Sequence, residues 1–135
     1  PSVRNNIHAF EFSGQSMLVV EDDLVNSRLL GSMIQTVSGK VLYAYTGSMA
    51  IEMVKNMTDI DLVLMDIQMP GMDGLEATRN IRFWRKDLPV ISQSASAHAD
   101  DLKKCYDAGC VAHISKPIDT FKLYGLISTF LKKQA

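Results

Sequence analysis

Cysteine is scarce: only Cys105 and Cys110 occur in 135 residues. Two thiols offer neither a disulfide framework nor the paired Cys/His spacing of a zinc site, so both read as reduced, packed small hydrophobes. Charge of one sign is also missing. A net charge of −1 creates no field that draws in nucleic acid or a membrane surface, and direct nucleic-acid binding is disfavoured. No apolar run approaches the ~20 residues of a bilayer-spanning helix, and no charged-then-apolar leader opens the chain. The chain as it stands is expected in the cytoplasm, without membrane contact of its own, although a longer parent protein could be anchored. Neither Gly-x-x-x-x-Gly-Lys-Ser/Thr nor Gly-x-Gly-x-x-Gly follows any apolar run. The usual nucleotide-binding loops are thereby excluded.

What is present is ordinary globular material, 47% hydrophobic and 21% charged, in a length suited to one domain with a proper core. Residues 1–16 (PSVRNNIHAFEFSGQS) carry no helical or strand period and are rich in Asn, Ser and Gly, which reads as a tail or linker before a domain over 17–135. From Met17 onward short apolar runs alternate with amphipathic stretches. The alternation predicts strands over 17–20, 40–45, 62–65, 89–93 and 111–114, and helices over 25–37, 48–57, 74–85, 100–108 and 120–132. Several strands are almost continuously apolar, as parallel strands covered on both faces must be. Five βα units with right-handed crossovers predict an α/β fold with a doubly wound five-stranded parallel sheet, for which order 2-1-3-4-5 is a common solution. Ligands in such sheets sit beyond the carboxyl ends of the strands.

Polar residues gather at those ends. Strand 1 runs into Glu21-Asp22-Asp23, strand 3 into Asp66, strand 4 into Ser94 and strand 5 into Ser115-Lys116-Pro117. Carboxylates forced together remain ionised only when a cation compensates them, and hard oxygen ligands on a loose scaffold favour Mg2+. A magnesium ion beside a free carboxylate, with Lys116 and Ser94 over the same crevice, suits the oxygens of a transferring phosphoryl group. Asp66 is then the candidate nucleophile.

The strings MLVVEDDLVN at 17–26 and LMDIQMPGMDGLE at 64–76, followed by Lys116-Pro117, resemble the response-regulator receiver family, CheY-like in fold. The resemblance covers most of the chain from Met17 onward. Its spacings agree: 28 residues separate Asp66 from Ser94, and 22 separate Ser94 from Lys116. The resemblance implies that Asp66 accepts phosphate from a phosphohistidine of a histidine kinase or histidine phosphotransfer domain. Glu21, Asp22, Asp66 and the backbone carbonyl of Gln68 would hold Mg2+. Ser94 would be the switch hydroxyl, Lys116 would pair with a phosphoryl oxygen, and His113 would occupy the rotameric switch position. Pro117 would follow a cis bond that aims Lys116 into the crevice. Glu21 stands where Asp is commoner in the family, and Gln93 stands where an apolar residue is usual. The sequence around Asp66 resembles the receivers of hybrid sensor kinases more than stand-alone regulators.

Other readings bear on the same residues. Asp23 could simply cap the following helix, His113 could be a packing histidine, and His8 and His98 read as solvated. The methionines scatter and read as core filler. A degenerate receiver that docks without phosphorylation would be expected to have lost the acidic pair, Asp or Lys. An aspartyl-phosphate hydrolase of the haloacid dehalogenase type needs a second Asp two places beyond the nucleophile, where Gln68 stands. The expected role is therefore a signalling switch rather than an enzyme with its own substrate.

Overall fold

The computed structural model describes residues 10–96 and 98–132. Five strands, β1 (Ser16–Val20), β2 (Lys40–Ala44), β3 (Leu62–Asp66), β4 (Val90–Ser94) and β5 (Ala112–Ser115), alternate with five helices. The helices are α1 (Leu24–Thr36), α2 (Gly47–Asn56), α3 (Gly74–Trp84), α4 (Ala99–Ala108) and α5 (Thr120–Lys132). All strand pairs are parallel, and the sheet order is β2-β1-β3-β4-β5. The expected doubly wound topology is the one observed.

Side chains on a strand alternate between faces, and β1 and β3 divide accordingly. Met17, Val19, Leu62 and Leu64 enter one core with Leu30 and Ile34 of α1 and with Leu123, Tyr124 and Ile127 of α5. Leu18, Val20, Val63 and Met65 enter the other with Ala50 and Val54 of α2, Ala77 and Ile81 of α3 and Cys105 of α4. Each fully buried leucine or isoleucine contributes about 1.5–3 kcal/mol relative to exposure. These two cores clamp the sheet, so the strand ends are held rigidly. Both thiols are free and buried.

Helix starts follow local chemistry. The Asp23 carboxylate accepts from the amides of Val25 and Asn26, Thr46 accepts from Met49, and Asp73 accepts from Glu76. Each satisfies backbone donors that a first turn leaves open. Asp23 is thus placed as a cap.

The lead-in expected as a tail over 1–16 needs correction within its described part. Phe12 is buried, its amide donates to the Val37 carbonyl at 2.8 Å, and Phe10 lies 5.4 Å from the Tyr124 ring. Ser16 opens β1, with its amide 2.7 Å from an Asp61 carboxylate oxygen. Two phenylalanines in a polar segment suffice to pin it over the α1/α5 core, a contribution that a search for periodicity misses. Residues 1–9, with His8, lie outside the described residues. Strand 4 also runs one residue further than expected and includes Ser94.

Candidate functional site

The site forms where β1 and β3 end side by side. Glu21 follows β1 directly, its amide bonded to the Ala44 carbonyl at 3.1 Å, and Asp66 is the last residue of β3. Both carboxylates are buried, at 1% and 2% exposure, whereas Asp22 is exposed. One oxygen from each of Glu21, Asp22 and Asp66 lies within 4.8 Å of the others. Three anionic oxygens so close repel unless a cation shares them, and the donor set fits a hard divalent ion such as Mg2+.

Lys116 supplies the positive charge among the side chains here. Its Nζ stands 3.3 Å from Glu21 Oε1 and 3.3 Å from Asp66 Oδ1. Its backbone amide is tied to the Ser94 carbonyl at 2.8 Å, and the bond to Pro117 is cis, as expected. Partial burial works against the Lys116 charge, but the carboxylates of Asp66 and Glu21 outweigh it and hold the ammonium above its ordinary range. Glu21 moves in the opposite sense to a simple ion pair. Burial first, and then its hydrogen bond with Asp66, push it up to about 7, which the attraction of Lys116 does not cancel. A single ammonium is too little charge to offset the burial of the Glu21 carboxylate.

The loop after Asp66 is shaped to approach it. The Gln68 amide donates to Asp66 Oδ1 at 3.2 Å, and the Ile67 amide donates to the Gln93 carbonyl at 3.1 Å. Gly71 takes a φ of 77°, a conformation that side chains disfavour, and a Cβ on Gly74 would run into the Asp66 carbonyl. Glycine at 74 lets the start of α3 lie against the end of β3.

Ser94 ends β4 one strand away. Its hydroxyl donates to the Ser96 carbonyl at 2.9 Å and lies 3.4 Å from His113 Nε2. The other ring nitrogen of His113, Nδ1, lies 2.8 Å from Ser92 Oγ. Burial lowers the His113 pKa, the Lys122 charge adds to that, and the Ser96 carbonyl partly opposes it. A cavity of about 90 Å3 opens beside Gln68, Ser94 and His113.

The expected site residues fall in two groups: Glu21, Asp22, Asp66, Gln68 and Lys116 with Pro117 at the carboxyl end of the sheet, and beside them Ser94, with His113 reaching it from two positions further down β5. Sequence reasoning did not single out Ser92 or the short Ser96 to Asp101 hydrogen bond, 2.5 Å between oxygens. Ser92 had a readable signal, since it alternates in phase with Ser94 in a strand whose five residues are all buried. Gln93 is buried on the opposite face, level with Asp66, and its Nε2 has no hydrogen-bond partner among the described residues.

A family model described as the response regulator receiver domain matches residues 17–128. The hybrid signal transduction histidine kinase M of Dictyostelium discoideum is 35% identical over 123 residues, which cover 87% of this chain and 5% of that protein. Against the histidine kinases it matches, the chain spans between 5% and 14% of their length. The receiver domain of sensor histidine kinase PA1611 from Pseudomonas aeruginosa, solved with magnesium in its active-site cleft, is similar at 29% identity and a TM-score of 0.82. That likeness covers 89% of this chain and 99% of that one. The receiver domain of Ssk1 in a Saccharomyces cerevisiae complex with the histidine phosphotransfer protein Ypd1 is similar at 26% identity and a TM-score of 0.84, covering 92% and 93% of the two chains. With the family model spanning all five strands and most of α5, this chain belongs to the response regulator receiver domain family.

Proposed function

We propose that Asp66 is the phosphoryl acceptor of a two-component phosphorelay and that this chain is the receiver of a hybrid histidine kinase. The observation that carries the reading is the position of Lys116, whose ammonium bridges two buried carboxylates at 3.3 Å each. An Asp66 oxygen attacks the phosphorus of a phosphohistidine on a histidine kinase or histidine phosphotransfer domain. A P–O bond forms, the P–N bond breaks, and the imidazole leaves with the electron pair. Glu21, Asp22, Asp66 and the Gln68 carbonyl would hold Mg2+, which when bound neutralises charge on the phosphoryl oxygens. Lys116 pairs with another of those oxygens, within a site whose burial strengthens the attraction.

Ser94 then leaves the Ser96 carbonyl and donates to a phosphoryl oxygen. His113 follows, and the face of α4, β5 and α5 changes for a partner. The domain assists its own phosphorylation and dephosphorylation and acts on no separate substrate. It works in the cytoplasm, without touching nucleic acid or membrane. No helix among the described residues is long and apolar enough to cross a membrane.

Incubation with Mg2+ and acetyl phosphate, followed by intact mass, tests the reading. The wild type is expected to gain one phosphoryl group and Asp66→Ala none. A gain in both, or in neither under forcing conditions, overturns it.

A further inference from the structure

Ser92 is fully buried in β4 and lies level with His113 of β5 in the strand register. Each hydroxyl has one proton, and distance favours one acceptor for each: Ser94 Oγ is 2.9 Å from the Ser96 carbonyl against 3.4 Å from Nε2, and Ser92 Oγ is 2.8 Å from Nδ1 against 3.3 Å from the Ala112 carbonyl. The Ser94 hydroxyl spends its one proton on the Ser96 carbonyl at 2.9 Å. Toward His113 Nε2, 3.4 Å away, the Ser94 oxygen then accepts, which gives Nε2 the ring hydrogen. A neutral imidazole holds one ring proton. Nδ1 is then bare and accepts from the Ser92 hydroxyl at 2.8 Å. Burial, which disfavours the charged ring, keeps His113 in this neutral form. Donation runs in one sense, from Ser92 to His113 to Ser94 to the Ser96 carbonyl.

We infer that Ser92 is a positioning residue for the switch: by donating to Nδ1 it selects the Nε2–H tautomer of His113, which holds the Ser94 hydroxyl on the Ser96 carbonyl. The inference rests on the receiver function proposed for Asp66. It also gives Ser92 a place to go. When Ser94 turns to a phosphoryl oxygen, His113 loses its acceptor and can rotate toward the cavity beside it. Ser92 can then redirect its proton to the Ala112 carbonyl, 3.3 Å away. The Ser92 hydroxyl thus has an acceptor in either state. Ser92 therefore biases the domain toward its unphosphorylated arrangement without destabilising the other one.

Long-range proton–nitrogen NMR of the His113 ring in the 135-residue chain reads the tautomer directly. The wild type is expected to show a protonated Nε2 and a bare Nδ1. In Ser92→Ala the balance shifts toward Nδ1–H. The fraction phosphorylated at fixed acetyl phosphate and Mg2+ rises about fivefold, the effect of one net hydrogen bond. In a His113→Phe background, Ser92→Ala adds nothing. A wild-type ring protonated at Nδ1, an unchanged tautomer in Ser92→Ala, or an undiminished effect in the His113→Phe background each overturns the role of Ser92. The wild-type spectrum needs no variant, so poor folding of Ser92→Ala does not block the test. A wild type that takes no phosphate fails the receiver reading itself. A wrong tautomer in a chain that does phosphorylate fails Ser92 alone.

Discussion

The ends of β1 and β3 and the ends of β4 and β5 lie in one crevice, yet they are built from different physics. On the first side, ionic groups are buried and pinned: Glu21 and Asp66 are almost fully enclosed and share the Lys116 ammonium at 3.3 Å. On the second, neutral groups exchange single hydrogen bonds between Ser92, His113, Ser94 and Ser96. A buried ionic group left without its partner costs several kcal/mol, whereas one neutral hydrogen bond nets about 1 kcal/mol. The ionic side is suited to chemistry that must not drift. The neutral side is suited to a change of state that small energies can tip.

The sharpest way to break this contrast is to remove one member from each side. Lys116→Ala takes away the side-chain cation that, among the described residues, pairs with Asp66, and losing a positioned oxyanion partner of this kind costs on the order of 100-fold in rate. Initial phosphorylation from acetyl phosphate, followed by intact mass, is expected to fall by that order. Ser94→Ala removes one neutral hydrogen bond and is expected to change the same rate only about fivefold. Equal losses in the two variants would mean that the division between chemistry and switching is wrong.

A second contrast lies within the ionic side and concerns proton uptake. Glu21 is raised to about 7 from an ordinary 4.5 in the folded chain, because burial disfavours its charge. The folded state thus binds a proton that the unfolded state has already released between those values. Without divalent cation, the stability that Glu21 contributes is complete below pH 4.5 and is lost as pH rises to about 7. The effect is a few kcal/mol at most, at about 1.4 kcal/mol per unit of pKa. Urea unfolding of wild type against Glu21→Gln across this range isolates it, since Gln cannot titrate. The stability difference, wild type minus variant, is expected to decline with pH in chelator and to lose that decline in excess Mg2+. A difference that rises with pH in chelator would contradict the upward shift of Glu21.

The two sides are also unequally legible in the amino-acid sequence. Glu21, Asp66 and Lys116 are ionic residues at the ends of apolar runs, where a soluble core cannot place them without a reason, and so their pattern alone points to the switch point of the sheet. The five strands and five helices are readable for the same cause, since burial on both faces imposes a continuous apolar period. Ser92 is harder to read. A serine in a strand is common, and its meaning depends on the register that sets it opposite His113. Phe10 and Phe12 escape as well, because two aromatic residues without a period can cover the end of a core as effectively as a helix.

Asp23 offers the finest test, because it belongs to the acidic triplet in sequence but to neither side in space. Its carboxylate accepts from the Val25 and Asn26 amides at 2.9 and 3.3 Å, which occupies it as the cap of α1. Its own amide donates to Glu21 Oε2 at 3.2 Å, a bond that any residue except proline preserves. Asp23→Ala is therefore expected to lower stability by about 1 kcal/mol, the usual cost of losing such a cap. The variant should keep its Mg2+-dependent phosphorylation within about twofold, because no neutral hydrogen bond worth more than ~1 kcal/mol in the site is touched. Asp22→Ala, one residue earlier, is expected to do the reverse: little change in urea midpoint and a marked loss of Mg2+ response. If the two variants exchanged these behaviours, the exposed member of the carboxylate trio would be Asp23, and the cap would belong to Asp22.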